Sequence, residues 1–458
     1  MAAVASQRLA ARVAPWRHIG ASSRLVPLSG WRDGQRRRAG GSAAGGFDVV
    51  VVGGGIMGSW AAARCAARGA SVALLDQFDP GHEHGSSHGD GRIYRFAYEE
   101  DLYVDMMELS LKHWEELQSF AGEPLMAKTG GLSIQPKGLS KDHIGPLKDL
   151  YSRRGLAYEV FSAGALHERF PQFSVPEDME ALFQGDMGVL FATKCVRATW
   201  RYAAQLGAEL RPSTCVVELR PDGTGAVVIT DSGEALRARH VILAPGPWLS
   251  GLASSLLGLE IPTEVSAETV SYFAPRAGCE LDHSYRSMPV FISYMNSGLG
   301  NYGFYGLPSI EVPGVKVSAH FAGPMVDPGR RPKSAGGFGA GADEEKSAAG
   351  RIAEVVAANK RFIATKFPNL EAEPFLSYNC LYTCTSDHDY IIGPAPGFPA
   401  VTLAGGGSGH AFKMGPAIGE LSACLALGEE PPIAVGEKFC VERLLSTQGL
   451  GTRSAARK

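Results

Sequence analysis

Three glycines near the start of the chain have the spacing that brings a backbone close to an anionic ligand. Gly53, Gly55 and Gly58 follow the pattern G-x-G-x-x-G. The first glycine permits a tight turn, the second lets the backbone approach a pyrophosphate, and the third lets a helix pack closely on a strand. The pyrophosphate would rest on the free N–H groups of the helix N-terminus, where the dipole favours anions. The pattern alone is weak evidence, because many glycine-rich turns hold no ligand.

The segments around these glycines are the ones that such a site needs. Residues 49–52 are apolar and β-branched, which predicts a buried parallel strand. A helix is predicted over residues 57–68, with Gly69 as its C-terminal stop. A second strand over residues 71–75 ends at Asp76, whose carboxylate could accept hydrogen bonds from a ribose. Because the strand, the helix and the acid occur at the expected spacing, this segment predicts an adenine dinucleotide site. It does not distinguish NAD from FAD.

A second glycine-rich unit lies far along the chain. Residues 401–413 predict a strand and a glycine-rich turn, with Gly407 and Gly409 in the turn, and residues 416–427 predict a helix. Another helix N-terminus could therefore point at the same cofactor. FAD has the larger ring system and often contacts both ends of a chain, so this unit favours FAD over NAD.

The loop after the first unit carries histidines and arginines. His82, His84 and His88 suggest a metal, but acidic and thiol ligands are missing at metal spacing, so no metal site is predicted. The eight cysteines likewise show no paired metal spacing. Arg92 and Arg95 follow, and a guanidinium could bind a substrate carboxylate or the phosphates of a cofactor.

Aromatic-rich segments over residues 262–326 predict an antiparallel sheet in a second domain. In residues 315–321 polar and apolar side chains alternate, which on a strand separates two faces. The predicted core face holds Val315, Val317, Ala319 and Phe321, and the other face holds Lys316, Ser318 and His320. From this segment alone, solvent exposure is the simpler interpretation of the second face. Residues 327–350 then predict a mobile glycine-rich loop, and residues 352–367 a helix.

Composition excludes several classes of protein. A chain of 458 residues has room for two or three domains, or for one large domain with insertions. The net charge of -3 argues against a general nucleic-acid binder. There is no apolar run of about eighteen residues, so no membrane span is predicted.

The first 46 residues differ from the rest of the chain. They carry eight arginines against a single acid, Asp33, with much alanine, serine and glycine. This composition predicts a mitochondrial or chloroplast transit peptide, and a basic tail without fixed structure remains the alternative. The C-terminal residues do not match the peroxisomal S-K-L signal, so a peroxisomal location is disfavoured.

Residues 47–445 resemble the monomeric sarcosine oxidase family and its relatives, which include pipecolate oxidase and N-methyl-amino-acid oxidases within the group of D-amino-acid oxidase. Besides the first glycine pattern, the resemblance rests on several motifs in the family order. These are GSSHGD at residues 85–90 with two arginines after it, YGLP at 305–308, Lys316 with His320, C-x-Y-T from Cys380, Asp387, and residues 405–413. Together these motifs are specific, whereas the glycine pattern alone is not.

The resemblance implies an α/β fold with an FAD-binding Rossmann-like domain and a second, antiparallel-sheet substrate domain, as in D-amino-acid oxidase. The FAD-binding domain would be discontinuous. Its segments would be residues 47–120, 185–250 and 375–445, the substrate domain would hold 121–184 and 251–374, and 446–458 would form a tail.

The resemblance also implies roles for individual residues. Cys380 matches the cysteine that the family joins covalently to the flavin 8α-methyl group, and a thiolate is a suitable nucleophile for that position. Cys384 lies nearby but fits the motif less well. Arg95 and Lys413 match the pair of cations that holds the substrate carboxylate.

The remaining matched residues surround the reacting groups. Tyr305, Tyr382 and His320 match the pocket wall around the amine. His88 and Arg92 match residues beside the flavin ring, where they assist flavin attachment and tune its charge.

Lys316 matches the lysine at which the family reduces O2, and this changes the interpretation of its strand from solvent-facing to functional. The implied reaction oxidises a secondary amino acid, such as sarcosine, an N-methyl amino acid or an L-pipecolate-like one. A hydride passes to flavin N5, and O2 becomes H2O2. The expected partners are therefore a small amino acid and O2; the oligomeric state stays open, with a monomer favoured.

Some features depart from the family and leave alternatives. Ser87 stands where bacterial sarcosine oxidases often have histidine, and the N-terminal leader replaces a peroxisomal ending. An organellar FAD dehydrogenase that passes electrons to a carrier is the main alternative, and Lys316 argues against it. A non-catalytic dinucleotide-binding protein is disfavoured by Arg95 and Lys413. An NAD-linked dehydrogenase is disfavoured by the second glycine unit and Cys380.

Overall fold

The computed structural model describes residues 46–300, 302–329 and 342–445, so that nearly all of the predicted transit peptide and the whole predicted tail lie outside the described residues. The strands in these ranges are β1 (Phe47–Val52), β2 (Val72–Leu75), β3 (Arg92–Tyr94), β4 (Met126–Lys128), β5 (Gly131–Pro136), β6 (Tyr158–Ser162), β7 (Met179–Gln184), β8 (Gly188–Leu190), β9 (Glu209–Arg211), β10 (Val216–Asp222), β11 (Gly225–Thr230), β12 (Ala235–Leu243), β13 (Glu264–Phe273), β14 (Val290–Ser293), β15 (Phe304–Leu307), β16 (Val315–Ala319), β17 (Leu376–Cys384), β18 (Ile391–Ala395) and β19 (Phe398–Gly405). The α-helices are α1 (Ile56–Ala67), α2 (Asp101–Ala121), α3 (Ile144–Arg154), α4 (Ala163–Arg169), α5 (Ala192–Gln205), α6 (Leu249–Leu257), α7 (Ala342–Lys366), α8 (Gly415–Leu427) and α9 (Glu442–Leu445).

The first sheet contains both glycine-rich units. Its order is β10-β11-β12-β1-β2-β9, and β19 joins it beside β12 with β18 on its far side. β1 is parallel to both β2 and β12, and β12 is parallel to β19. Helix α1 therefore makes a crossover between two neighbouring parallel strands, which is the βαβ arrangement that the sequence predicts.

Helices α1 and α8 lie against each other at this sheet, and small residues allow the close approach. A Cβ atom built on Gly419 of α8 would lie 2.6 Å from Trp60 of α1. A Cβ on Gly415, the first residue of α8, would lie 2.8 Å from the Ile56 side chain. Because the helices begin side by side, both glycine-rich turns open towards one region of the molecule.

The second sheet has the order β17-β13-β16-β15-β14-β5-β7-β6. Its neighbouring strands are antiparallel, as predicted, except that β14 and β5 are parallel. Strand β17, which carries Cys380 and Tyr382, pairs with β13 of this sheet. The family resemblance implies that residues 375–445 belong to the FAD-binding domain. A small third sheet, β3-β8-β4, holds Arg92 at its edge.

The structure corrects two predictions about the region of β16. The strand ends at Ala319, and Phe321 is not on its core face; Phe321 has a φ of 52° and packs on the ring of His320, with centroids 4.1 Å apart. The solvent-facing interpretation of the second face is also wrong, since Lys316 and Ser318 are buried. The residues around Gly91 cover that face, and the Lys316 amine donates to the Gly91 carbonyl oxygen over 3.1 Å.

Helix α7 begins at Ala342, so the predicted loop over 327–350 is helical in its last nine residues. The sequence there changes from glycine to alanine, glutamate and lysine, which have high helix propensity. Residues 330–341 of the predicted loop lie outside the described residues. Within the described residues, no helix combines the length and apolar character that a membrane span requires.

Candidate active site

A cavity of about 610 Å³ runs along the glycine-rich turns, and its volume is in the range of small-molecule sites. Both glycine units contribute to its wall, together with residues from β17 and from the loop before β3. The sequence-predicted residues that line it are Gly53, Gly55, Asp76, Arg92, Cys380, Tyr382, Gly407 and Gly409.

The glycines of the first turn have distinct steric environments. Gly53 has a φ of 100°, and a Cβ there would lie 2.3 Å from the Ala244 carbonyl oxygen. A Cβ on Gly58 would lie 1.9 Å from the Gly53 carbonyl oxygen, so Gly58 packs beneath the turn and does not line the cavity. A Cβ on Gly55 would meet only the Ser87 hydroxyl, at 3.3 Å. The backbone at Gly55 is therefore open to a ligand.

Two side chains fix the shape of this turn. The Asp76 carboxylate accepts hydrogen bonds from Gly54 N over 2.6 Å and from Phe78 N over 2.8 Å. Burial raises the pKa of Asp76 to about 6. The Ser87 hydroxyl accepts from Ile56 N, the first N–H of α1, over 3.1 Å. An acid and a hydroxyl thus hold the backbone that would receive a pyrophosphate.

Arg92 and Cys380 meet at another part of the cavity wall. The Arg92 guanidinium donates to Cys380 Sγ over 3.1 Å and to the Ser86 carbonyl oxygen over 3.0 Å. Cys380 therefore lines the cavity with a guanidinium in contact with its sulfur. Cys384 does not line the cavity, and burial raises its pKa to about 12. Of the two cysteines, Cys380 is therefore the better placed to react with a molecule in the cavity.

His88 is buried at 4% exposure but does not line the cavity. Its ring centroid lies 5.8 Å from that of Tyr378 on β17. His88 thus packs against β17 at Tyr378, two positions before Cys380 in the chain.

Arg95 and Lys413 converge on the ring of Tyr98. The Arg95 guanidinium carbon lies 4.5 Å from the ring centroid and the Lys413 amine 5.3 Å. Lys413 also donates to the His410 carbonyl oxygen over 2.6 Å, and Arg95 donates to that of Ala97. Among the described residues, neither cation has a carboxylate within 4.0 Å. Burial and then the charge of Arg95 hold the pKa of Lys413 well below its usual value. Lys413 is buried and Arg95 is half-buried, so the pair could hold an anion that little water screens.

His320 faces the same region as an uncharged imidazole. Burial and the nearby Arg95 charge lower its pKa to about 3. Its Nδ1 atom lies 3.4 Å from the Tyr382 hydroxyl, and its ring centroid lies 5.7 Å from that of Tyr305. Burial raises the pKa of both tyrosines, so their hydroxyl groups keep their protons. The cluster can accept and donate hydrogen bonds without adding charge.

Lys316 lies near Arg92 and Cys380 but is not in the wall of the cavity. Its amine is 3.1 Å from the Gly91 carbonyl oxygen and 3.9 Å from the Asp90 carboxylate. Burial, aided by the charge of Arg92 and opposed by that of Asp90, lowers the pKa of Lys316 to about 8. The structure thus brings together two groups, one around the Arg95–Lys413 pair and one around Lys316.

Sequence reasoning missed several members of these groups. The His410 carbonyl oxygen accepts a hydrogen bond from the Lys413 amine. In the His410 ring, Nε2 donates to the His388 carbonyl oxygen over 3.0 Å, so Nδ1 can accept from the Tyr390 hydroxyl over 2.7 Å. Tyr98 and His410 each stand three residues from a predicted cation, a spacing that could have drawn attention to them.

Metal binding has no support within the described residues, where no group of three or more histidine, cysteine or acidic side chains could hold an ion.

The chain is similar to known proteins over most of its length. Residues 48–425 match the family described as DAO, FAD dependent oxidoreductase. A probable sarcosine oxidase from Arabidopsis thaliana is 33% identical over 82% of this chain and 87% of its own length. The monomeric sarcosine oxidase of Bacillus sp. (strain B-0618) is 32% identical over 81% of this chain and 90% of its own length.

A solved structure, the open form of NikD, an unusual amino acid oxidase essential for nikkomycin biosynthesis, has the same fold. It superimposes with a TM-score of 0.70 at 23% identity, over 86% of this chain and 97% of NikD. The predicted fold class is confirmed, and the chain belongs to the DAO family of FAD-dependent oxidoreductases.

Proposed function

We propose that this protein is an FAD-dependent oxidase of secondary amino acids, such as sarcosine, another N-methyl amino acid or an L-pipecolate-like compound. The observation that carries the proposal is the Arg95–Lys413 pair, which lacks a carboxylate partner among the described residues and lies beside the neutral His320. Lys413 is buried and Arg95 is half-buried. A substrate carboxylate would complete this pair. The names of the sarcosine oxidase relatives support an amino acid as the substrate and O2 as the acceptor.

FAD fits the residues of the cavity. The open backbone at Gly55 and the N-terminus of α1 suit a pyrophosphate, and Arg92 with Cys380 forms a cationic, nucleophilic wall further along. When bound, FAD supplies a hydride acceptor and returns two electrons to O2. Its covalent attachment through Cys380 is part of the proposal, because the thiol lines the cavity and the Arg92 guanidinium contacts its sulfur.

The side chains around the cations would orient the substrate. Arg95 and Lys413 would bind the two carboxylate oxygens, which fixes the Cα–N bond and lowers the entropic cost of reaction. His320 would accept a hydrogen bond from the neutral secondary amine, and Tyr305 and Tyr382 would close the pocket around it. The amine loses a hydride from carbon and a proton from nitrogen, and the imine product then hydrolyses in water.

Lys316 would act in the second half of the cycle. A fixed cation near the cofactor stabilises the negative charge that develops as O2 accepts electrons. Burial strengthens this effect because little water screens the charge. This is the role that favours an oxidase over a dehydrogenase.

We also propose that residues 1–46 direct the protein to a mitochondrion or a chloroplast. Their eight arginines and single acid support this proposal. A fluorescent protein fused behind residues 1–46 should enter one of these organelles, and a diffuse signal would contradict the proposal.

The substrate proposal is tested with the protein lacking residues 1–46. It is mixed without air with sarcosine, other N-methyl amino acids, L-pipecolate, L-proline and D-amino acids, and the flavin absorbance is followed. Bleaching by an N-alkyl or cyclic amino acid, with colour returning in air, supports the proposal. Bleaching only by primary D-amino acids, or by none of the panel, would contradict it.

A further inference from the structure

A buried network of polar side chains leads away from Lys316. The Asp90 carboxylate lies 3.9 Å from the Lys316 amine, and the Tyr272 hydroxyl donates to the same carboxylate oxygen. The Tyr272 hydroxyl is in turn 2.9 Å from that of Tyr378. Tyr272 is fully buried, whereas Tyr378 is half-buried on β17, the edge strand of the second sheet. The network therefore connects a buried ammonium group to the edge of a sheet.

The proposed function requires a proton at the inner end of this network, and the inference rests on that function. Reduction of O2 to H2O2 consumes two electrons and two protons. A reduced flavin bound in the cavity would supply both electrons and one proton. The second proton of H2O2 needs another donor, and Lys316 is a buried acid beside Arg92 and Cys380.

We propose that Asp90, held by the Tyr272 hydroxyl, is a positioning residue that keeps Lys316 in its ammonium form for O2 reduction. In this scheme Lys316 gives one proton to the reduced oxygen and becomes a neutral amine. Asp90, Tyr272 and Tyr378 then return a proton from solvent, which restores the ammonium form. The pair is buried, so removal of either charge would leave the other without compensation.

The charged and titratable groups that face Lys316 determine whether its pKa rises or falls when Asp90 is replaced. Arg92 disfavours the ammonium form, Asp90 and Cys380 favour it, and the rings of Tyr272 and Tyr378 lie 5.8 and 5.9 Å from the amine. With Asp90 intact, the pKa of Lys316 is about 8, so the ammonium form is present below that pH and is lost above it. Without the Asp90 charge, burial and Arg92 lower the pKa further, and the ammonium form is lost at a lower pH.

The test measures reoxidation without using an amine substrate. Holoenzymes of the wild type, Asp90→Asn, Tyr272→Phe and Tyr378→Phe are reduced photochemically and mixed with O2 over the stable pH range. In Asp90→Asn we expect the midpoint of the rate profile to move down by about 1 to 3 pH units, the usual effect of an opposite charge at this distance. At a pH where the amine is mostly neutral, a downward shift of the midpoint by one pH unit slows reoxidation about tenfold. Tyr272→Phe should move the midpoint in the same direction.

The ammonium form of Lys316 is also observed directly. In oxidised holoenzyme labelled with 13Cε-lysine, the signal that disappears in Lys316→Met is titrated, and its midpoint should fall in Asp90→Asn as the reoxidation midpoint does. Asp389→Asn is the matched control, since Asp389 also pairs with a lysine, Lys438 at 3.0 Å, and accepts from a tyrosine hydroxyl. This control should leave both midpoints unchanged.

Unchanged midpoints in Asp90→Asn, by both measurements, would overturn the inference. If Asp90→Asn does not fold, Tyr272→Phe provides the test, because it removes only one hydroxyl group. Unchanged midpoints in Tyr272→Phe would then overturn the inference. Failure of every amine to bleach the flavin would contradict the substrate proposal but would leave this test intact, since reduction is photochemical.

Discussion

Replacing Lys413 by methionine removes one charge of the proposed carboxylate site and nearly preserves the length of the side chain. The Lys413 carbonyl oxygen accepts from the Trp114 indole over 2.9 Å, which holds the backbone in place in the variant. The amine itself has no carboxylate partner in the described residues and lies beside the charge of Arg95. The substitution removes the hydrogen bond to the His410 carbonyl oxygen but relieves a repulsion between cations. These two effects oppose each other, so we expect little change in thermal stability.

Substrate binding should respond strongly to the same change. A hydrogen bond to a charged group contributes about 1.5–3 kcal/mol, and every 1.4 kcal/mol is about tenfold in affinity. Lys413 is only 4% exposed, so water screens this interaction little. The Kd for the substrate carboxylate should rise about 10- to 150-fold, while Arg95 still binds the other oxygen. The wild-type affinity should also fall as pH rises through the lowered pKa of Lys413, and the variant should lack this dependence.

The assay is anaerobic titration of the flavin spectrum with sarcosine, or with the amino acid that bleaches it, and with the corresponding amide. The amide lacks the carboxylate, so its affinity should be similar in wild type and variant. Lys366→Met is the control, because Lys366 is a comparably buried lysine that lines a separate small cavity. An equal loss for acid and amide, or an unchanged Kd for the acid, would refute the carboxylate role.

Three further changes test other parts of the account. Cys380→Ser should release the flavin when the protein is denatured, whereas Cys384→Ser should retain it; flavin retained in the first variant would exclude that attachment site. Lys316→Met should slow reoxidation by O2 about 10²- to 10³-fold, the usual effect of removing a charge-stabilising group, with flavin reduction by substrate nearly unchanged in stopped-flow traces. Gly58→Ala should abolish FAD binding or folding, because its Cβ would lie 1.9 Å from the Gly53 carbonyl oxygen, and a normally loaded variant would contradict the packing argument.

The first βαβ unit could be predicted from the sequence because its signals are local. The β-branched run, the glycine spacing and Asp76 all lie within thirty residues and impose the same geometry that the structure shows. The alternation over 315–321 correctly placed Val315 and Val317 in the core. It could not show what covers the other face, because that depends on the loop around Gly91, more than 200 residues away in the chain.

The cations of the site could be predicted only through the family resemblance, and their surroundings not at all. Nothing in the sequence links Tyr272 to Asp90, which lie 182 positions apart and meet through packing of the second sheet on the loop before β3. The membership of β17 in that sheet was equally hidden, since its pairing with β13 spans more than a hundred residues. Contacts between distant segments determine these features, and periodicity does not record them.

The most direct test of the oxidase proposal is the yield of H2O2 per amino acid oxidised. The flavin is reduced without air by the amino acid that bleaches it, O2 is admitted, and H2O2 and the remaining amino acid are measured together. We expect the colour to return with one H2O2 for each amino acid consumed. Oxidation of the amino acid without H2O2, and with colour returning only when an electron carrier is added, would contradict the proposal and identify a dehydrogenase.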